Sequence, residues 1–208
     1  MRQPPSSGNV PVPVVVDSSV IINLNATGRA EDIIRSYGTT FCASDIVRDE
    51  LVLDRLNGRN DAAMAEALVQ RGLLIFLPFD DESELIFESL ISGDAVSTLD
   101  DGEAATLSLA VSLNRGAVID ERKAIRIAGE RFPTVEILAT ADILNCKRVA
   151  SALGSDGIAE VVFNGLRGAR MAIPERHHEW VVGLLGSRIA ECRSLPAALR
   201  QALKQKNT

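Results

Sequence analysis

Val14-Val15-Val16-Asp17-Ser18-Ser19, continuing through Val20 to Leu24, is the stretch on which the reading of this chain turns. Three consecutive valines, with Val12 just upstream, make a run that is apolar on both faces, β-branched and too short for a helix. That is the pattern of a strand buried on both sides in a parallel sheet. The run ends on a carboxylate. An aspartate at the C-terminal end of a central parallel strand sits where open α/β sheets receive their ligands, and Ser18 or Ser19 can cap the helix that follows. An aspartate in that place can equally be no more than a cap, so the question is whether other acids converge on it.

With 208 residues, 46% of them hydrophobic, the chain suffices for one α/β domain with a full core, plus extensions. Residues 1–11, which include Pro4, Pro5, Ser6, Ser7 and Gly8, are expected to form a disordered tail. They lack the charged-then-apolar pattern of a signal peptide, and no run of about 18 uncharged apolar residues follows, so a cytoplasmic protein with no membrane contact is expected. Cys42, Cys146 and Cys192 are widely spaced with no Cys-x-x-Cys, which argues against a disulfide framework or a zinc site. The net charge of −6 does not advertise a nucleic-acid binder. From residue 187 onward, however, Arg188, Arg193, Arg200, Lys204 and Lys206 face only Glu191. Such a basic tail can touch phosphates or an acidic partner, or simply complement a helix dipole.

Working outward, residues 29–37 read as a helix and 39–43 as a strand, with Ser44 capping a helix over 45–56. On that helix Ile46, Val47 and Leu53 are expected on one face, and Glu50 shares it. A carboxylate in an apolar stripe is costly unless a cation or a basic side chain meets it. A turn over 57–60, a helix over 61–71, a strand over 73–77 and an acidic-fronted helix over 80–91 follow. In residues 97–114, Asp100 and Asp101 can cap a helix, Gly102 permits close backbone approach, and Glu103 joins Leu107, Ala110 and Val111 on its inward face. A second short strand, 116–119, again ends on an acid, Asp120, with Glu121, Arg122 and Lys123 opening the next helix. Residues 134–138 read as a last strand, and Thr140 as the cap of a helix over 141–152. Beyond Gly154 only helices are expected, over 156–165, 174–185 and 196–204. His177 and His178 are adjacent, so they share no helix face and make a poor metal pair.

If strand ends and helix faces bring Asp17, Glu50, Glu103 and Asp120 together, their repulsion raises their pKa values unless a cation shares the site. Oxygen ligands without His or Cys point to Mg²⁺ or Mn²⁺. The chemistry such a site supports is phosphodiester hydrolysis, with Arg48, Arg122, Lys123 and Arg126 available to meet the backbone.

Four segments, Val14-Val15-Val16-Asp17-Ser18-Ser19, the Ser44 helix ending in Glu50-Leu51, Asp101-Gly102-Glu103-Ala104, and Val118-Ile119-Asp120-Glu121-Arg122-Lys123, together resemble the PIN-domain nucleases and, within them, the VapC-like toxin branch. The resemblance covers 12–152 and leaves 153–208 as a helical C-terminal extension. It implies a three-layer α/β/α sandwich with a parallel sheet of about five strands, a Mg²⁺ or Mn²⁺ site, and cleavage of single-stranded RNA. By the same resemblance Asp17, Glu50, Glu103 and Asp120 are metal ligands, with Glu121 an alternative or additional fourth acid, and Ser18 or Thr140 position water or ligands. A homodimer is implied too, and the extension is left to bind an antitoxin protein, to dimerise or to position substrate. Two other readings remain: a non-catalytic PIN-like interaction module, and a metal phosphohydrolase on a flavodoxin-like sheet. Against the latter, Ser19 stands where a phosphoaspartyl enzyme wants a second aspartate.

Overall fold

A computed structural model describes residues 13–54 and 60–202. The expected tail 1–11, most of the turn at 57–60 and the ends of the helices expected over 45–56 and 196–204 lie outside those residues. In chain order, β1 (Val14–Val16) leads to α1 (Ser18–Ala26) and α2 (Ala30–Tyr37), and β2 (Phe41–Ser44) to α3 (Asp45–Asp54) and α4 (Asp61–Gln70). Then β3 (Leu74–Leu77) precedes α5 (Asp81–Ile91) and α6 (Asp101–Ser112), and β4 (Ala117–Val118) precedes α7 (Arg122–Arg131). Last come β5 (Ile137–Leu138), α8 (Thr140–Leu144), the long α9 (Lys147–Gly168), α10 (His178–Leu185) and α11 (Ala197–Ala202), with 3-10 turns on either side of α10.

All five strands are parallel, in the order β3-β2-β1-β4-β5, so the valine strand occupies the centre as its composition predicts. Alternation carries the two layers. Val14 and Val16 pack with Leu24, Ile33 and Val162 on one side, while Val15 packs with Leu90, Leu107 and Ile127 on the other. All three valines are buried, each worth about 1.5–3 kcal/mol relative to exposure, and a polar residue at any of them would leave one layer without its floor. The result is the expected α/β/α sandwich with C-terminal helices. No helix among the described residues is long and apolar enough to cross a membrane. The three cysteines are free.

Several local expectations give way to packing. On α3 the inward row is Val47 and Leu51, whereas Leu53 is 62% exposed. Two residues beyond Leu51 is roughly 200° around a helix, which takes Leu53 off that row. The helix expected over 141–152 is two helices: α8 stops at Leu144, and α9 starts at Lys147 and runs to Gly168 with only Gly154 out of helical geometry (φ 70°, ψ 173°). The strand expected over 134–138 shrinks to two residues, because Val135 N–H donates back to Phe132 O (3.0 Å) in a turn around Pro133. Pro174 opens a 3-10 turn (Glu175–His177), and α10 proper begins at His178.

α9 lies along α1 and α2, and its Ile158, Val161, Val162 and Leu166 belong to the same apolar cluster as Val14 and Val16. The next segment is fastened by Asp142 of α8. Its carboxylate takes the Ala139 N–H (2.7 Å), the guanidinium of Arg176 and His177 Nε2 (2.6 Å). Burial works to raise the Asp142 pKa but is outweighed by these bonds, and the net shift is downward.

Candidate active site

Asp17 leaves β1 in extended conformation and is itself the N-cap of α1. Its Oδ2 accepts from Ser19 N–H (3.2 Å) and Ser19 Oγ (2.6 Å), so the serines fall inside the first turn and serve the aspartate rather than capping in its place. Its own N–H donates to Val118 O (3.3 Å), which ties it to β4. Val16 pairs with Val118, so the acid after β1 and the acid after β4 emerge side by side at the same sheet end. This is where chain order reverses, β2 and β3 lying to one side of β1 and β4 and β5 to the other.

Asp120 is held more completely. Thr140 N–H donates to Oδ1 (2.8 Å), and Thr140 Oγ1 (2.6 Å) and Asn23 Nδ2 (2.7 Å) both donate to Oδ2. Thr140 is thus not the cap of α8, a place that Ala139 occupies. Its work is to anchor the acid. Asn23 escaped the sequence reading, although an asparagine on the buried face of an apolar helix was a usable signal.

Glu50 reaches across from α3 to α6. Its carboxylate lies beside Ser18 and against the backbone at Gly102, so close that a Cβ there would come 2.7 Å from Oε1 and 2.8 Å from Cδ. The predicted capping of α6 by the aspartate doublet is not observed. Asp100 stands at the N-cap with no side-chain cap bond. Instead the Glu50 carboxylate, from another helix, lies against the backbone at Gly102. Glu121, adjacent to Asp120, caps α7 with Oε2 on Ala124 N–H (2.8 Å).

The carboxylates feel one another. Burial raises the pKa of Asp17 despite its bonds to Ser19 and Ser18. Burial raises Asp120 as well, against the bonds from Thr140 and Asn23, with the Asp17 charge adding to the rise. Glu50 is raised by burial and then by the charges of Asp17 and Asp101. Glu103 is pushed up to about 7, first by burial and then by the charges of Glu121, Asp17 and Asp100. Asp17 is therefore the electrostatic hub of the four.

A cleft of about 410 Å³ opens over three of these four, Glu50 lying outside its lining. Asp17, Glu103, Asp120 and Glu121 line it with Ser19, Asn23 and Arg122, and residues 169–172 of the extension form one wall. Of the cations expected to meet a substrate, Arg122 alone lines this cleft among the described residues, with Lys123 next to it in sequence. Arg126 is engaged elsewhere, by Glu130 (3.0 Å) and Val96 O (2.9 Å). Arg48 lies over the Phe76 ring (5.7 Å) beside a separate recess of about 110 Å³. Arg170, which no motif flagged, lines the acid cleft.

The donor set is all oxygen, the chemistry a hard divalent cation takes. Such a charge would relieve the crowding that holds Glu103 near 7. Asp17, Glu103, Asp120 and Glu121, which line the cleft, are the residues that could share it, whereas Glu50, expected as a fourth ligand, is turned to the start of α6. Among the described residues no group of three or more His, Cys, Asp or Glu is already drawn together to hold an ion. Hydroxyl and amide donors already hold Asp17 and Asp120 in place, and the remaining lone pairs of these carboxylates are what a cation would take.

A family model, DUF3368, described as a PIN domain, matches residues 13–145. No individually curated protein matches the chain at a significant level.

Proposed function

This chain belongs to the PIN-domain family, whose members are generally nucleases, and on that footing we propose that it is a Mg²⁺- or Mn²⁺-dependent ribonuclease that hydrolyses phosphodiester bonds. The observation that carries the reading is that Asp17, Glu103, Asp120 and Glu121, brought from three segments, line one cleft, where burial first and neighbouring charge second raise the pKa values of Glu103 and Asp120. Uncompensated anions so placed destabilise a fold and are expected where a cation and a phosphate are to be received.

In this reading Asp17 and Asp120 are the primary cation ligands, fixed in rotamer by Ser19, Thr140 and Asn23. Glu103, with a pKa of about 7, is poised to take a proton from the attacking water, and Glu121 faces the same space. Arg122 lies at the cleft to steady the phosphate. The divalent cation, when bound, supplies Lewis-acid polarisation of the phosphoryl oxygen and lowers the pKa of water. The toxin half of a toxin–antitoxin pair, with an antitoxin partner and a homodimeric form, is the setting we propose from the motif resemblance.

A specific observation favours a second reading. Asp17 caps α1, Glu121 caps α7 and Glu50 holds the start of α6, so three of the acids already have structural roles. A non-catalytic PIN-like interaction module would need them for nothing else. The discriminating experiment is cleavage of mixed tRNA and unstructured RNA in Mn²⁺, Mg²⁺ and EDTA, beside Asp17→Asn and Glu103→Gln. Metal-dependent cleavage lost in both variants is the expected result. Absence of both cleavage and calorimetric Mn²⁺ binding would establish the interaction module instead.

A further inference from the structure

Behind the wall of the acid cleft lies a second, larger cleft of about 520 Å³. Arg167, Arg170, Arg193 and Arg200 line it with Glu191 as the one acid among the described residues. All of them lie beyond residue 145, where the family-model match ends. Arg170 lines both clefts, which makes them neighbours across a single side chain. In a chain of net charge −6, four arginines facing one acid in a cleft is a strong local reversal of sign.

The arginines differ in how they are held. Arg167 pairs with Glu191 (3.3 Å) and lies over Phe163 (5.4 Å), and Arg200 Nε donates to Leu195 O (3.0 Å). Arg170 and Arg193 are exposed and form no ion pair among the described residues. Arg188, which the sequence grouped with them, is taken out of play by Glu160 (2.7 Å) and its stacking on Phe163 (3.7 Å). Arg170 also sits in the left-handed region (φ 57°), where a non-glycine residue is strained. The reversal at the end of α9 is closed by Ala169 N–H and Met171 N–H, both donating to Gly165 O (3.1 and 3.2 Å), and by burial of Met171 against Gly165. Thus the backbone turn that ends α9 aims a charged residue at the junction of the two clefts.

We propose that this arginine cleft is a binding site for the phosphate backbone of the RNA, guiding the strand away from the acid centre. The inference rests on the nuclease reading and deepens it. The acid cleft gathers carboxylates, and a polyanion entering it meets repulsion; a cation-lined exit beside it offsets that repulsion and sets the direction of the strand. No aromatic side chain lines the arginine cleft among the described residues, so the contact reads phosphates and leaves base identity unread. An acidic peptide is the competing occupant. Continuity with the acid cleft through Arg170, a cleft that Arg122 also lines, favours a substrate strand.

The test uses the full chain carrying Asp17→Asn, so that binding is measured without cleavage. A fluorescent 12-nucleotide single-stranded RNA is titrated at several salt concentrations against this protein and against versions with Arg193→Ala or Arg170→Ala added. Each arginine removed is expected to weaken binding and to lower the slope of log K against log salt by roughly 0.7. Arg193→Lys should retain the slope, and Arg35→Ala, on α2 outside both clefts, should leave binding unchanged. Unchanged affinity in the alanine variants would overturn the proposal, as would weaker binding with an unchanged salt slope, or binding of a glutamate-rich peptide in place of RNA. Failure of the nuclease reading shows separately, as absence of metal-dependent cleavage by the wild-type chain.

Discussion

The carboxylate of Glu50 rests directly on Gly102 of a different helix, so that a single methyl group at position 102 would meet Oε1 at 2.7 Å. Gly102→Ala should therefore push the Glu50 carboxylate, the movable end of a flexible side chain, off the start of α6, at a net cost of about 1 kcal/mol or less in urea unfolding because alanine is the better helix former. In the Glu50→Ala background the same change should be neutral or stabilising, because the clash has lost its partner. Additive losses in that double-mutant cycle would refute the contact.

Glu103 has its pKa raised from an ordinary 4.5 to about 7. Between those values the folded protein keeps a proton that the unfolded chain has released. Its contribution to stability is thus fully present below pH 4.5 and is lost as pH rises through about 7. After allowance for its partial exposure, the loss is about 1–2 kcal/mol. Glu103→Gln should flatten the difference in unfolding free energy between pH 5 and pH 8; an undiminished pH dependence would mean that another group is responsible.

Relief of carboxylate repulsion should be visible without any reaction. Saturating Mn²⁺ is expected to raise Tm at pH 8 by roughly 5 °C, the scale set by a ligand at about a hundred times its Kd. At pH 5 the rise should be smaller, since Glu103 is then protonated and competes with the cation. In Asp17→Asn the shift should vanish. Equal shifts at both pH values would place the ion outside the acid cleft.

Asn23 donates to Asp120 Oδ2 and is nearly inaccessible to solvent. Asn23→Ala leaves Asp120 held by Thr140 alone. RNA cleavage should fall about 10- to 100-fold, as for the loss of other groups that orient a metal ligand. Stability should fall by about 1–2 kcal/mol. A drop in stability with unaltered kcat and unaltered Mn²⁺ affinity would reduce Asn23 to a packing residue.

Asp142 clamps Arg176, His177 and the start of α8. Its pKa lies below the ordinary 3.8, so the stability it confers is present above that value and disappears as pH falls through the folded-state pKa. Asp142→Ala should destabilise the chain by about 2–3 kcal/mol at neutral pH. In the variant the acid limb of the stability curve should lose this contribution. An unaltered acid limb would count against the clamp.

The centre of the molecule is legible in the sequence because its physics is local. A β-branched run apolar on both faces can be satisfied only between two layers, and Val14, Val15 and Val16 divide between them accordingly. Asp17 and Asp120 are legible for the same reason, each being the first polar residue after such a run. What escapes is whatever two distant segments decide together. Glu50 and Gly102 each looked sensible on its own helix, but their contact follows from how α3 crosses α6. The break at Asn145 and Cys146 carries no proline or glycine to announce it. Arg170 occupies a backbone position usually given to glycine, so no composition rule points to it.

The wall formed by residues 169–172 also sets a schedule. Asp17 leaves the ribosome before the other acids, which follow by residue 121, yet the cleft has its far side only after α9 has docked and the chain has turned at Arg170. A nascent chain long enough to make the whole sheet still lacks that side. Any activity that depends on that wall waits until residues 169–172 have emerged and folded against a sheet already complete.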